Sequence, residues 1–308
     1  MRKSSGAQRS NLVSLFSDDL HLRGRAGTTI ETYLQQVGWF EAFQRDHNKE
    51  LEKASKNDLL EFLAHLRAKR YKQGSLGHIF AALSSFYDFL EDTGRIQSNP
   101  VPAVQKRYLR PYKANIDRDE RRCLSIEECS QLIKTRLVSR DQAIMILLAK
   151  TGMRRHELTA LDVSDIDMVK RELTLKPTGK RTNRTLFFDD EAAAIVQRWL
   201  STRASMDFPE DDGPLFVTSA GRFDPKSVYT MVINHSRRIG IADPKIGSDH
   251  VTPHYFRIFF TTMLLRAGMP REHVMALRGD VGGAIDIYNR IEKEDLKRSY
   301  LAHIPQLA

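Results

Sequence analysis

A chain of 308 residues, 41 % hydrophobic and 28 % charged, is long enough for two globular domains. Its longest purely apolar run, Ala143 to Ala149, is far too short to cross a bilayer. The 48 lysines and arginines against 39 acids leave a net charge of +9, which favours a polyanionic partner. Without an amphipathic anchor or lipidation motif, that points to nucleic acid rather than a membrane surface. The two cysteines, Cys123 and Cys129, lack CxxC spacing and suggest neither a zinc site nor a redox pair. Reduced thiols fit a cytoplasmic protein. Residues 1–10 begin with a basic stretch that no apolar run follows, so they read as a loose tail rather than a secretory leader.

The first clear helix opens at Gly27, where Thr28 and Glu31 have capping-box spacing. Ile30, Tyr33, Leu34, Val37, Phe40 and Phe43 then form one apolar face. A second helix runs through Leu59, Phe62, Leu63 and Leu66, and a third from about Ser75 to Gly94. Asn99-Pro100-Val101-Pro102 is expected to break the chain. Residues 11–104 thus read as an all-helical bundle. Between its second and third helices, Arg67, Lys69, Arg70 and Lys72 surround Tyr71 at a helix start, a composition that suits backbone phosphates. By itself, a solvated surface run is the better explanation of the cluster.

Residues 105–122 are polar and charged and read as a linker. Residues 123–308 form the second domain, opened by a capping box at Ser125 and Glu128. A buried helix from Gln142 to Lys150 ends at Gly152, and a short one starts near Arg154. Strands at Glu172–Lys176 and Thr185–Phe188 pair as a hairpin around residues 177–183. Helices follow at about 190–203, 225–238, 253–267, 270–277, 283–291 and 294–302. The fold class is mainly α: a helical bundle followed by an α+β domain with a small antiparallel sheet.

Four pieces of the second domain bear on chemistry. Arg154 stands at a helix start, where backbone N–H groups already favour anions, and Glu157 one turn on is spaced to hold it. Lys180 lies in the hairpin loop, with Lys176 flanking the same turn. Thr252 and Pro253 look like N-cap and first turn of a helix that presents His254 and Arg257 one turn apart, with Phe256, Phe259, Phe260, Met263 and Leu264 facing the core. Tyr288 follows Arg257 after thirty-one residues. Each has a bland explanation alone: a surface ion pair, a solvated turn, exposed polar residues, a packing tyrosine.

In combination, Thr151-Gly152-Met153-Arg154 with Glu157-Leu158, then Pro253-His254-Tyr255-Phe256-Arg257, then Tyr288, resemble the boxes of the tyrosine recombinases, the phage-integrase family. Gly94-Arg95-Ile96-Gln97-Ser98-Asn99-Pro100 resembles the end of that family's core-binding domain, so the likeness spans nearly the whole chain. It implies a core-binding bundle and a catalytic domain that cut and rejoin DNA through a 3′-phosphotyrosine. Tyr288 would be the nucleophile, Arg154 and Arg257 the phosphate ligands, and Lys180 the general acid. His254 would be a hydrogen-bond donor or base, and Glu157 the orienter of Arg154. No cofactor and no metal is needed. Implied partners are double-stranded DNA and, on synapsed DNA, a homotetramer formed from free monomers or weak dimers. The family's last helix docks on a neighbouring protomer, which would set the role of the segment around Tyr300.

The chain departs from the family at Leu277-Arg278-Gly279-Asp280, where Leu-Gly-His is usual. Asp280 occupies the place of the second histidine, a variant resembling archaeal and archaeal-virus members. Two other readings stand beside the recombinase: a DNA-binding protein of the same fold with impaired catalysis, and a relaxing enzyme like the type IB topoisomerases. With no arm-binding domain ahead of the bundle, a simple recombinase is expected.

Overall fold

The computed structural model describes residues 11–110, 122–135, 138–177, 181–206, 213–241, 251–279 and 291–307. They belong to two units. In the first, helices α1 (Asn11–Leu22), α2 (Gly27–Asp46), α3 (Lys56–Ala68) and α4 (Gln73–Asp92) pack around Phe16, Phe40, Phe62, Phe80, Phe86 and Tyr87. The apolar face read from the sequence of α2 is the one buried: Ile30, Leu34, Val37, Phe40 and Phe43. The capping box expected at Thr28 does not form. Ala26 is the N-cap, and Thr28 already lies inside the helix, its carbonyl accepting from Thr32 Oγ1 at 2.8 Å. A box does form at α3, between Ser55 and Asp58.

After α4, Asn99 Nδ2 donates to the Ser84 carbonyl and Asp88, and its Oδ1 accepts from Val101 N at 2.8 Å. The prolines expected to break the chain also begin a helix, α5 (Val101–Val104), where a missing N–H costs nothing. Gln105–Leu109 continue as a π-helical turn, with Tyr108 and Leu109 packed on the bundle core.

The second unit is built round α7 (Ser139–Thr151), buried on every side from Ala143 to Thr151. It packs on α6 (Ile126–Lys134), α9 (Asp190–Ala204) and α11 (Pro253–Arg266). The box at Ser125 and Glu128 opens α6 as expected. Gly152 ends α7 at φ +59°, and a Cβ there would lie 2.4 Å from Phe260 Cδ1 of α11. Both handedness and close approach therefore require glycine. Beyond α8 (Arg155–Thr159), strands β1 (Ile166–Asp167), β2 (Glu172–Thr174) and β3 (Thr185–Phe187) form an antiparallel sheet with Leu173 opposite Leu186. A second pair, β4 (Val217–Thr218) and β5 (Gly221–Arg222), was not foreseen. It precedes α10 (Pro225–Arg238), whose N-cap Asp224 accepts from Lys226 N and Ser227 N. The chain continues through α11, α12 (Arg271–Arg278) and α13 (Lys293–His303). The helix expected at 283–291 falls outside the described residues but for Ile291. No helix among the described residues is long and apolar enough to cross a membrane.

Candidate active site

Arg154 sits where the chain leaves the left-handed turn at Gly152 and enters α8, as its N-cap. Glu157, buried in the first turn, holds it twice: Oε2 accepts from Arg154 N at 2.7 Å and Oε1 from Arg154 Nη1 at 3.1 Å. Glu157 and Arg154 are thus in contact, and the carboxylate also satisfies an amide that the helix start leaves without an intrahelical partner.

On α11, Thr252 is the N-cap and Pro253 the first residue, as the sequence suggested, although the Thr252 side chain makes no capping bond. Phe256, Phe259, Phe260, Met263 and Leu264 are all buried. His254 is exposed, whereas Arg257, one turn on, is only 4 % exposed. Arg257 Nη1 donates to the Gly152 carbonyl at 2.8 Å and Nη2 to the Arg278 carbonyl at 3.0 Å. Arg257 is therefore tied to the segment that carries Arg154 and to the end of α12. Two boxes a hundred residues apart in sequence meet at one place. Both of these anchors are neutral carbonyls.

The model for the phage integrase family matches residues 122–293, and that for its SAM-like N-terminal domain matches residues 13–94. The chain belongs to the phage integrase family. The tyrosine recombinase XerC of Roseiflexus sp. (strain RS-1) is 28 % identical over 281 residues, covering 87 % of this chain and 85 % of that one. The tyrosine recombinase XerA of Pyrococcus furiosus is 27 % identical over 302 residues, covering 94 % and 93 %. A lambda integrase dimer bound to a COC′ core site shares the fold, with TM-score 0.68 at 16 % identity over 92 % of this chain and 98 % of that one. This chain is a site-specific tyrosine recombinase.

Of the recombinase residues expected from the sequence, Lys180, Asp280 and Tyr288 lie outside the described residues. The rival lysine is described. Lys176 Nζ lies 2.8 Å from both Asp162 and Asp165, which raise its pKa, and Lys176 and Arg222 together lower that of Asp162. Tyr300 is excluded as a nucleophile by its surroundings. It is fully buried, its hydroxyl donates to the Lys150 carbonyl at 2.9 Å, and desolvation pushes its pKa well up. Its ring packs beside Phe187 and Phe260. Lys150 itself, 0 % exposed, is paired with Asp189 at 2.6 Å and Glu191 at 2.5 Å. The end of the chain closes over this group: Lys150 Nζ donates to the Pro305 carbonyl, Gln306 Nε2 to Asp189, and Leu307 N to Glu191.

In the bundle, Arg67, Lys69, Arg70 and Lys72 are all exposed around the α3–α4 turn. Arg67 Nη2 also donates to the Tyr108 carbonyl at 3.0 Å, so it braces the chain leaving α5. Arg70 stands at φ +60°, and Tyr71 rests edge-on against Trp39. Sequence reasoning missed Arg181, a buried arginine that donates to Glu157. A cation in a predicted hairpin loop looks solvated, and only the packing of α12 on that loop reveals otherwise.

Proposed function

We propose that the chain cuts and rejoins DNA through Tyr288, with Arg154 and Arg257 holding the scissile phosphate. The observation that carries this reading is the junction of Arg154, Glu157, Gly152 and Arg257. Two guanidiniums fixed by backbone and carboxylate suit the non-bridging oxygens of a phosphate under in-line attack, where negative charge grows in the transition state. The Tyr288 hydroxyl attacks phosphorus, forming a 3′-phosphotyrosine and releasing a 5′-hydroxyl. Lys180 protonates that leaving oxygen. Lys176 is the other candidate, and its bonds to Asp162 and Asp165 would have to open first. His254, exposed one turn before Arg257, hydrogen-bonds the phosphate or takes the tyrosine proton. Asp280 fills the place of a second histidine. The phosphodiester energy is kept in the phosphotyrosine, so a second strand's 5′-hydroxyl reverses the step without a cofactor.

DNA is the partner that this chemistry needs. The exposed cations Arg67, Lys69, Arg70 and Lys72 suit its backbone and would position the duplex without reading sequence. Residues 11–104 would be the core-binding domain, 105–122 the linker and 123–308 the catalytic domain. Exchange of two strands between duplexes calls for four protomers on synapsed DNA, working in the cytoplasm. The ordered arginine junction and the recombinase relatives disfavour both an impaired binder and a relaxing enzyme.

The test is an SDS-resistant protein–DNA adduct on a nicked duplex. Wild type should form it, and Tyr288→Phe should bind DNA without forming it. Wild type that binds but never forms the adduct, or an adduct that persists in Tyr288→Phe, overturns the assignment.

A further inference from the structure

Arg181 directly follows Lys180 in the chain, and its side chain is only 1 % exposed. Its Nη1 donates to Glu157 Oε2 at 3.0 Å, its Nη2 to the Leu277 carbonyl at 2.6 Å and its Nε to the Asn183 carbonyl at 2.6 Å. Glu157 is the carboxylate that holds Arg154. Leu277 and Arg278 are the last residues of α12, where a helix leaves carbonyls without intrahelical partners and carries partial negative charge. Arg181 takes the first of these two carbonyls, and Arg257 takes the second.

The bonds close a circuit. It runs from Arg154 to Glu157, to Arg181, across the end of α12 to Arg257, and from Arg257 to Gly152, two residues before Arg154. Gly279 belongs to the same junction. It ends α12 at φ +60°, and a Cβ there would lie 2.4 Å from Arg181 Cγ and 3.0 Å from the Asn183 carbonyl. Thr182 N donates to the Gly279 carbonyl at 3.3 Å, a second tie between hairpin and helix.

We propose that Arg181 is a positioning residue for strand cleavage. Through Glu157 and the end of α12 it fixes Arg154 and Arg257 relative to each other, and it anchors the hairpin just after Lys180. The inference rests on the reading of Arg154 and Arg257 as the phosphate ligands. The planar fork reaches Glu157 and the Leu277 carbonyl from two separate nitrogens. A lysine ammonium would have to gather both at a single atom.

The test is single-turnover adduct formation by the full-length protein. The probe is a nicked duplex that wild type selects from a pool with a randomised centre. Arg181→Ala should bind that duplex as wild type does and form the adduct about 100-fold more slowly, the cost of displacing a reacting group by about an ångström. Gly279→Ala, which pushes Arg181 aside and removes no charge, should show the same separation of binding from cleavage. Arg181→Lys should fall between wild type and Arg181→Ala. If Arg181→Ala melts below the assay temperature, these two variants decide. With Arg154→Ala already present, adding Arg181→Ala should slow cleavage far less than it does in wild type. Losses that simply multiply, or variants that fold and cleave at the wild-type rate, overturn the positioning role. Wild type that binds the pool but never forms an adduct overturns the parent reading instead.

Discussion

Arg70 offers a substitution whose effects on stability and on DNA binding should have opposite signs. It ends α3 at φ +60°, its N–H donating to the Arg67 carbonyl at 2.8 Å while Tyr71 N reaches back to Leu66 at 3.2 Å. That is the left-handed turn where glycine is favoured. An L side chain there costs about 1–2 kcal/mol, and the freedom glycine gains in the unfolded chain returns about 0.5–1 kcal/mol of that. Arg70→Gly should therefore stabilise the bundle by roughly 0.5–1 kcal/mol. With a urea slope of about 2 kcal/mol per M, the midpoint should rise by about 0.2–0.5 M. Trp39, packed on Tyr71 next door, reports this unit by fluorescence in a Trp199→Phe background. If Arg70 meets a phosphate, the same variant should bind DNA more weakly, and the slope of log K against log salt should shrink by about 0.9. A rise in stability with no change in salt slope would leave the cluster a solvated turn. No rise in stability would refute the strain argument itself.

Gly152→Ala should be severe. The left-handed cost of about 1–2 kcal/mol adds to about 1–3 kcal/mol for driving a methyl into Phe260, and urea unfolding of the second unit measures the sum. At Glu172, burial pushes the carboxyl up, but Lys293 and Lys297 outweigh it and hold it below its ordinary value of 4.5. A depressed folded pKa gives stability that is present above the unfolded value and lost as pH falls through the folded one. Glu172→Gln should thus cost about 2 kcal/mol at neutral pH and progressively less below pH 4.5, read by urea melts across that range. The general acid can be found with a 5′-thio leaving group, which departs without a proton. Cleavage of that substrate should be restored in the variant lacking the acid, Lys180→Ala on the present assignment; restoration in Lys176→Ala alone would move the role to Lys176.

What the sequence made legible were features whose cause is local. Phe40 and Phe43 lie on a helical stripe and are buried as such, and Ser125 with Glu128 forms the box its spacing announces. Thr28 and Glu31 have equally good box spacing, yet the cap falls two residues earlier at Ala26. Capping spacing tells where a cap is possible and not which candidate tertiary packing selects. The short pairs β1 and β4–β5 had too few residues for an alternating pattern to register. In the site, Arg154, Glu157 and Arg257 were legible because they fall into boxes resembling a family. Their connection was not, because Gly152 and Arg278 contribute only carbonyls, and a carbonyl is common to every residue. Arg181 was hidden for the opposite reason: its type was visible, but its burial depends on α12 lying across the hairpin.

If Arg154 and Arg257 hold the phosphate as proposed, the charges in this junction bear on how Glu157 can be tolerated beside it. A buried carboxylate that pairs with Arg154 alone would cancel the charge Arg154 is there to supply, and would repel the incoming anion. Here Glu157 lies between Arg154 and Arg181, and Arg257 donates to the Gly152 and Arg278 carbonyls. Among the described residues, three guanidiniums and one carboxylate meet in this junction, and each of these side chains is tethered. Pre-orientation and charge are usually in conflict, since the best anchors for a guanidinium are acids that neutralise it. Sharing one acid between two arginines, and using the exposed carbonyls at a helix end for the rest, relieves that conflict. On this argument Glu157→Gln should retain phosphate attraction but lose registration: DNA binding held or tightened, first-strand cleavage slowed, and Arg181→Ala adding little on top. Weakened DNA binding in Glu157→Gln would mean the carboxylate does more than orient.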